Sequence, residues 1–333
     1  MFNPSSSPSE QGTRDFLDPK VLAALGGMPL LARRPMRGNV SGIHTSPTRG
    51  SSVEFAEYRK YVPGDDLRRL DWRAHGRSDR YYVKEYEADT NLRCCIVVDT
   101  SGSMDYGTVP KKGSKKSNDS GPSTKLRVPR PGVTLSKLEY AKQIAATIAY
   151  IAAQQGDAVG LSCVADGIVQ HLPPRRNPAH LSVMFDTLNE AKPQGETDLV
   201  SVLHQLAETT AQAALVIVIS DFFVDSSELL GCFEHLRFRR HDLSLFHLLD
   251  PMELDFAFSG PTRFLDMEGG TAMLAEPSEI AHQYRQAMNE YLTDLDRIVT
   301  RSGSDYHRVT IDQSVQNVLT NFVTRRATSR GVR

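Results

Sequence analysis

The residues best placed to do chemistry lie in three short stretches. The first is Cys94-Cys95-Ile96-Val97-Val98-Asp99-Thr100-Ser101-Gly102-Ser103-Met104, an apolar, β-branched run that ends in an aspartate followed by hydroxyls at alternate positions. A buried parallel strand reads this way when its carboxyl tip must hold a hard cation, which prefers oxygen donors. The second is Gly195-Glu196-Thr197-Asp198, a loop opening a helix. The third is Val216-Ile217-Val218-Ile219-Ser220-Asp221, another apolar strand closed by an acid. Taken alone, the first motif is equally a strand end in which Asp99 closes the strand and Ser101 and Ser103 cap the adjoining turn. The other two stretches supply further oxygen donors at places where they could converge. Asp105 and Asp198 are nearby acids that read more simply as turn or cap residues.

The elements that must position these residues keep a strand–helix rhythm from residue 92 onward. Strands are expected at 93–99, 158–164, 167–172, 214–220 and 242–249, with helices at about 135–155, 177–190, 198–212 and 226–239. Leu138, Ala141, Ile144, Ala145, Ile148 and Ile151 form one apolar stripe at helical spacing. Beyond residue 250 come a short strand near 262–266, a long amphipathic helix at 278–301, a strand near 304–309 and a helix at 313–325. Alternation of this kind predicts an α/β fold, a doubly wound, mostly parallel sheet with helices on both faces. Sites in such sheets form at the carboxyl ends of the strands, where Asp99 and Asp221 both fall.

Domain boundaries come from composition. Residues 1–18 read as a disordered leader rich in Ser and Pro. Residues 19–90 form a polar N-terminal segment expected to pack on the sheet, with a short apolar helix at Val21 to Leu25 and an alternating strand from Tyr81 to Glu87. Residues 91–325 are the α/β domain, and 326–333 a basic tail. Within the domain, residues 105–134 break the rhythm. Lys111, Lys112, Lys115, Lys116, Lys125, Arg127 and Arg130 face only Asp105 and Asp119 there, which reads as a solvated, disordered insertion.

The whole chain of 333 residues has 40% hydrophobic and 24% charged residues and a formal net charge of −1. A charge that close to zero gives no global attraction to nucleic acid or membrane, so only a local patch such as the insertion could supply one. No apolar run approaches the roughly 20 residues that span a bilayer, and the N-terminus lacks the basic start and apolar core of a signal peptide. Four cysteines without zinc or CxxC spacing read as reduced core thiols in a cytoplasmic protein. The ten histidines are scattered, and His204 and His235, on expected helices, have no ligand spacing to another histidine.

The three stretches together resemble the von Willebrand factor A fold and its metal-ion-dependent adhesion site, Asp-x-Ser-x-Ser, then Thr, then Asp. The resemblance implies that Ser101 and Ser103 hold Mg²⁺ (or Mn²⁺ or Ca²⁺) through their hydroxyls and Thr197 directly or through water, with Asp99 and Asp221 acting mostly through waters and charge. Neutral hydroxyl donors leave the ion electron-poor, so a partner's Asp or Glu can complete its shell.

Upstream, Gly50, Glu54-Phe55, Arg59, Tyr61, Pro63-Gly64-Asp65-Asp66, Arg68, Asp71-Trp72 and Arg77 resemble the signature of the domain-of-unknown-function 58 family. Asp250-Pro251-x-Glu253 and Phe264-x-Asp266-x-Glu268 resemble its downstream motifs, so the likeness covers about residues 40–325. His75-Gly76 and the insertion depart from it, and many relatives carry N-terminal membrane spans that this sequence does not show. The family implies a non-enzymatic, metal-dependent protein-interaction module, an adaptor for a MoxR-type AAA+ ATPase. Glu54, Arg59, Asp65, Asp66, Arg68, Asp71 and Trp72 are a candidate second recognition surface, or else a buried structural patch with paired charges. Two alternatives stay open on the residues alone. One is a metal-dependent hydrolase, although a haloacid-dehalogenase-type phosphatase needs an acid where Ser101 stands, and no nucleophile elbow or phosphate loop occurs. The other is binding of an anionic surface or nucleic acid through the insertion.

Overall fold

The computed structural model of the chain describes residues 16–32, 45–46, 54–60, 81–89, 92–110, 134–258, 260–268 and 272–330. Helix α1 (Pro19–Leu25) starts at Asp18, whose side chain accepts from the Lys20 N–H. Strands β1 (Thr45–Ser46), β2 (Glu54–Lys60) and β3 (Tyr82–Asp89) form an antiparallel sheet in the order β1-β3-β2. Of the three, only β3 is expected from the sequence pattern.

The main sheet has six strands: β4 (Arg93–Asp99), β7 (Ala158–Val164), β8 (Ile168–Arg175), β9 (Leu215–Ser220), β10 (Asp242–Leu249) and β13 (Asp305–Thr310). Between β4 and β7, the short strands β5 (Val109–Pro110) and β6 (Thr134–Leu135) pair antiparallel. They close the neck of the insertion, whose residues 111–133 lie outside the described residues. The order of the main sheet is β13-β10-β9-β4-β7-β8, with every pairing parallel except β7 with β8 at one edge. β7, β9 and β10 are buried at every residue, and β4 at every residue after Arg93. Burial on both faces is why these strands read as unbroken apolar runs.

Helices cover both faces. These are α2 (Lys137–Gln154), α3 (Pro178–Glu190), α4 (Leu199–Thr209), α5 (Ser226–Phe238), the short α6 (Pro251–Asp255), α7 (Pro277–Ser302) and α8 (Val315–Arg330). Cys94, Ile96 and Val98 join one core with Ile144, Met184 and Phe322, while Cys95 and Val97 join the other with Leu203, Phe233 and Leu295. Adjacent residues of β4 therefore serve opposite layers, as the period of two requires. The fold is the α/β class expected. β4 and β9 lie side by side at the centre, with Val98 opposite Ile219, so Asp99 and Asp221 emerge together.

One boundary differs from expectation. Residue 326 does not begin a tail, because α8 continues to Arg330 and the Arg326 side chain is fully buried. Its guanidinium pairs with Asp242 and Asp305, and it donates to Ser244 Oγ and to the Leu31 carbonyl, both at 2.6 Å. A hairpin, β11 (Thr262–Leu265) with β12 (Ala272–Ala275), lies between β10 and α7. Only its first strand matches an expected one.

Candidate metal centre

Backbone hydrogen bonds gather the three stretches. The Gly102 N–H donates to the Gly195 carbonyl at 3.0 Å, and the Gln194 N–H to the Thr100 carbonyl at 2.8 Å. The Asp198 N–H donates to the Ala165 carbonyl at 2.7 Å, and the Asp198 side chain caps α4. Gly195 has φ +65°, a left-handed turn that a side chain disfavours. These contacts set Thr197 beside Asp99.

Asp99 is completely buried, and both its oxygens are engaged. Oδ1 accepts from the Ser101 N–H at 2.9 Å. Oδ2 accepts from Ser220 Oγ at 2.6 Å and from Thr197 Oγ1 at 3.4 Å. Ser101 Oγ and Ser103 Oγ are 3.1 Å apart. Burial, and then the charge of Asp221, raise the Asp99 carboxyl to about 6, against the pull of the hydrogen bonds from Ser220 and Ser101. The structure thus brings Asp99, Ser101, Ser103 and Thr197 into one cluster and sets Asp221 beside it.

Asp221 introduces a residue that the sequence pattern does not single out. Lys137, the first residue of α2, sends its Nζ 2.7 Å from Asp221 Oδ2 and 2.7 Å from Glu253 Oε1, with its side chain wholly buried. Burial pushes the ammonium down, but Asp221 and Glu253 outweigh it and hold the group well above the usual lysine range. Tyr106 and Phe223 face the same ammonium, with ring centroids at 5.9 and 5.1 Å. The apolar stripe of α2 is legible in the sequence, but Lys137 carries no local sign of its role.

The downstream motif Asp250-Pro251-x-Glu253 now has a geometric account. Asp250 and Glu253 form a capping box at α6. Glu253 Oε2 accepts from the Asp250 N–H at 2.7 Å and leaves Oε1 for Lys137. Asp250 also accepts from the N–H and hydroxyl of Thr108, at 2.7 and 2.6 Å. Just beyond Asp221, Phe222 adopts φ +53°, rare for a bulky side chain. Its carbonyl accepts from the Tyr291 hydroxyl and its ring packs edge-on to His247 at 5.6 Å, so the turn is fixed by its surroundings.

The donor chemistry fits a hard divalent cation. Asp221 Oδ1 is buried and has no hydrogen-bond partner among the described residues. Asp99, Glu253 and the half-buried Glu268 each feel the charge of Asp221, and the buried Lys137 ammonium answers only Asp221 Oδ2 and Glu253 Oε1. A buried carboxylate oxygen left without a donor is stabilised by a further cation. Among the described residues, no three His, Cys, Asp or Glu side chains are grouped to hold a metal by themselves. The first donors would therefore be hydroxyls.

Of the candidate recognition surface, Glu54 and Arg59 lie on β2, where Glu54 is opposite Glu87 and Arg59 opposite Val83. Asp65, Asp66, Arg68, Asp71 and Trp72 lie outside the described residues. The histidines are not all solitary. His204 Nδ1 and His235 Nδ1 are 2.9 Å apart, and His235 Nε2 is 2.9 Å from Glu208 Oε1, a contact between α4 and α5 that spacing along the chain does not reveal. No described helix is long and apolar enough to cross a membrane.

The chain is similar to known proteins in sequence and in fold. Uncharacterized proteins of Mycobacterium bovis and Mycobacterium tuberculosis are each 24% identical over 323 residues, 94% of this chain and 92% of theirs. Among solved structures, the conserved hypothetical protein BatB from Bacteroides thetaiotaomicron is similar with 15% identity and a TM-score of 0.44, over 72% of this chain and 100% of that solved chain. The SpRpn10 VWA domain is similar with 11% identity and a TM-score of 0.39, over 70% of this chain and 95% of that domain. The model of the family described as "Protein of unknown function DUF58" matches residues 57–294, most of the described fold and all five residues of the candidate centre, and the chain belongs to that family.

Proposed function

We propose that this protein is a non-enzymatic interaction module whose binding surface is built around a divalent cation, Mg²⁺ or Mn²⁺. The supporting observation is the buried Asp221 Oδ1, unpartnered among the described residues, whose carboxylate acts on Asp99 at the cluster that also holds the paired hydroxyls of Ser101 and Ser103. Ser101 and Ser103 would hold the ion, and Thr197 would do so directly or through water. Asp99 and Asp221 would supply charge and orient waters. When bound, the ion supplies a Lewis-acidic position for an anionic oxygen. Asp99, fixed by Ser101 and Ser220, holds the hydroxyl loop in place. Lys137 neutralises one oxygen of Asp221 and leaves the other without a hydrogen-bond partner among the described residues.

The partner we propose is a MoxR-type AAA+ ATPase, for which the protein acts as an adaptor. Calorimetric titration of chelator-treated protein should give one Mn²⁺ per chain, lost in Ser101→Ala. Capture of the ATPase should be abolished by EDTA and by Asp99→Ala. Capture indifferent to both would refute metal-dependent docking. Turnover of a phosphate ester or peptide by the purified protein, lost in Ser101→Ala, would replace this reading with a hydrolase.

A further inference from the structure

The hairpin β11–β12 brings one more carboxylate to the centre. Phe264 anchors it, with ring centroids 5.7 Å from Phe256 and 5.3 Å from Phe258. Phe256 in turn stacks on Tyr284 of α7 at 4.3 Å. From this anchor the chain passes directly over the hydroxyl loop. A Cβ on Gly102 would stand 2.0 Å from the Met267 carbonyl oxygen, so the approach is open only to glycine. The next residue is Glu268, whose N–H donates to Asp266 Oδ1 at 2.9 Å.

The surroundings of the Glu268 side chain point to a cation. Ser103 lies beside it, and Asp221, Asp266 and Glu196 are the charges that act on it. Its Oε1 is buried without a hydrogen-bond partner among the described residues. The centre therefore holds two unpartnered buried carboxylate oxygens, Asp221 Oδ1 from the end of β9 and Glu268 Oε1 from the hairpin. Lys137 is already committed to Asp221 Oδ2 and Glu253. A buried acceptor without a donor is costly, and two such oxygens on carboxylates that act on one another share the remedy of one cation.

We infer that Glu268 is a ligand of the cation, supplied by the chain's own hairpin at the position otherwise left for a partner's acid. The inference rests on the metal reading proposed above. In the resting protein the hairpin then closes the centre, and an incoming carboxylate must displace Glu268 to reach the ion.

The test uses the full chain, with Mn²⁺ alone as the probe. Glu268→Gln keeps the size of the side chain and removes its charge. It should weaken Mn²⁺ binding at least about tenfold. It should also raise the water-proton relaxation enhancement per bound Mn²⁺, because water takes the vacated position. Equal affinity and equal enhancement in wild type and Glu268→Gln would overturn the inference while leaving the metal reading intact. Failure of the wild type to bind Mn²⁺ would overturn both. Amide exchange in the wild type gives an answer even if the variant misfolds. Mn²⁺ should slow exchange across residues 262–268, and exchange unchanged by saturating Mn²⁺ would count against Glu268 as a ligand.

Discussion

Lys137 stands at the first position of α2, where the helix dipole disfavours a cation. The capping box of Ser136 and Glu139 holds the helix start in spite of it, and Asp221 and Glu253 compensate the charge. Lys137→Met should destabilise the chelated protein by about 3–5 kcal/mol in denaturant titration, because it strands two buried carboxylates. Added Mg²⁺ should recover part of that loss, since the ion answers the same excess charge. Other buried residues are chemically silent. Burial drives the thiols of Cys163 and Cys232 up to about 11 and that of Cys95 up to about 12, and raises Cys94 well above its usual value. Ellman's reagent at pH 8 should find no reactive thiol in the native chain and four after unfolding. At this scale the sequence exposes the hydroxyls and the two strand-end acids, because their spacing is local. It does not expose Lys137 at all, and it marks Glu268 only as part of a motif, because the partners of both are distant along the chain.

The elements of the central sheet are legible because they are buried on both faces and bounded by clear caps. β4, β7 and β10 coincide with the expected strands, and the caps Asn177, Asp198 and Asp225 begin helices close to the expected starts. Short exposed pieces are not legible. β12 and the β5–β6 pair have too few residues for a period of two to register, and β8 begins a residue later than expected and runs on through two prolines at the sheet edge. The contact between Gly102 and the hairpin decides how these elements meet. Gly102→Ala should force the hairpin and the hydroxyl loop apart, since the clash is with backbone that cannot rotate away. Limited proteolysis should then cut residues 262–275 faster than in wild type, with a lower melting temperature. Unchanged cleavage would mean that the two segments part without cost.

Across the whole molecule, Arg326 joins both ends of the chain to the sheet through Leu31, Asp242 and Asp305. Arg326→Met removes the buried guanidinium that pairs with Asp242 and Asp305 and should cost about 3–5 kcal/mol of global stability. Acid should weaken the fold as well. Burial holds His247 down to about 3, its Nδ1 lies 2.7 Å from the Tyr306 hydroxyl, and its Nε2 has no hydrogen-bond partner among the described residues. The unfolded chain binds this proton near the ordinary histidine value and the folded chain does not. The stability tied to neutral His247 is therefore complete above about pH 6.5 and is lost as the pH falls toward 3. Between pH 7 and 4 the loss should be about 3 kcal/mol. In His247→Gln the change in denaturation midpoint between those pH values should shrink accordingly. By itself the sequence determined the fold class, the central strands and the hydroxyl motif, because apolar periodicity and local spacing encode them directly. Only the tertiary structure decided which charges share the centre. Lys137, Asp221, Glu253 and Glu268 come from four separate elements and meet at one edge of the sheet, and a side chain's charge partners there depend on how the layers pack, which no local pattern records.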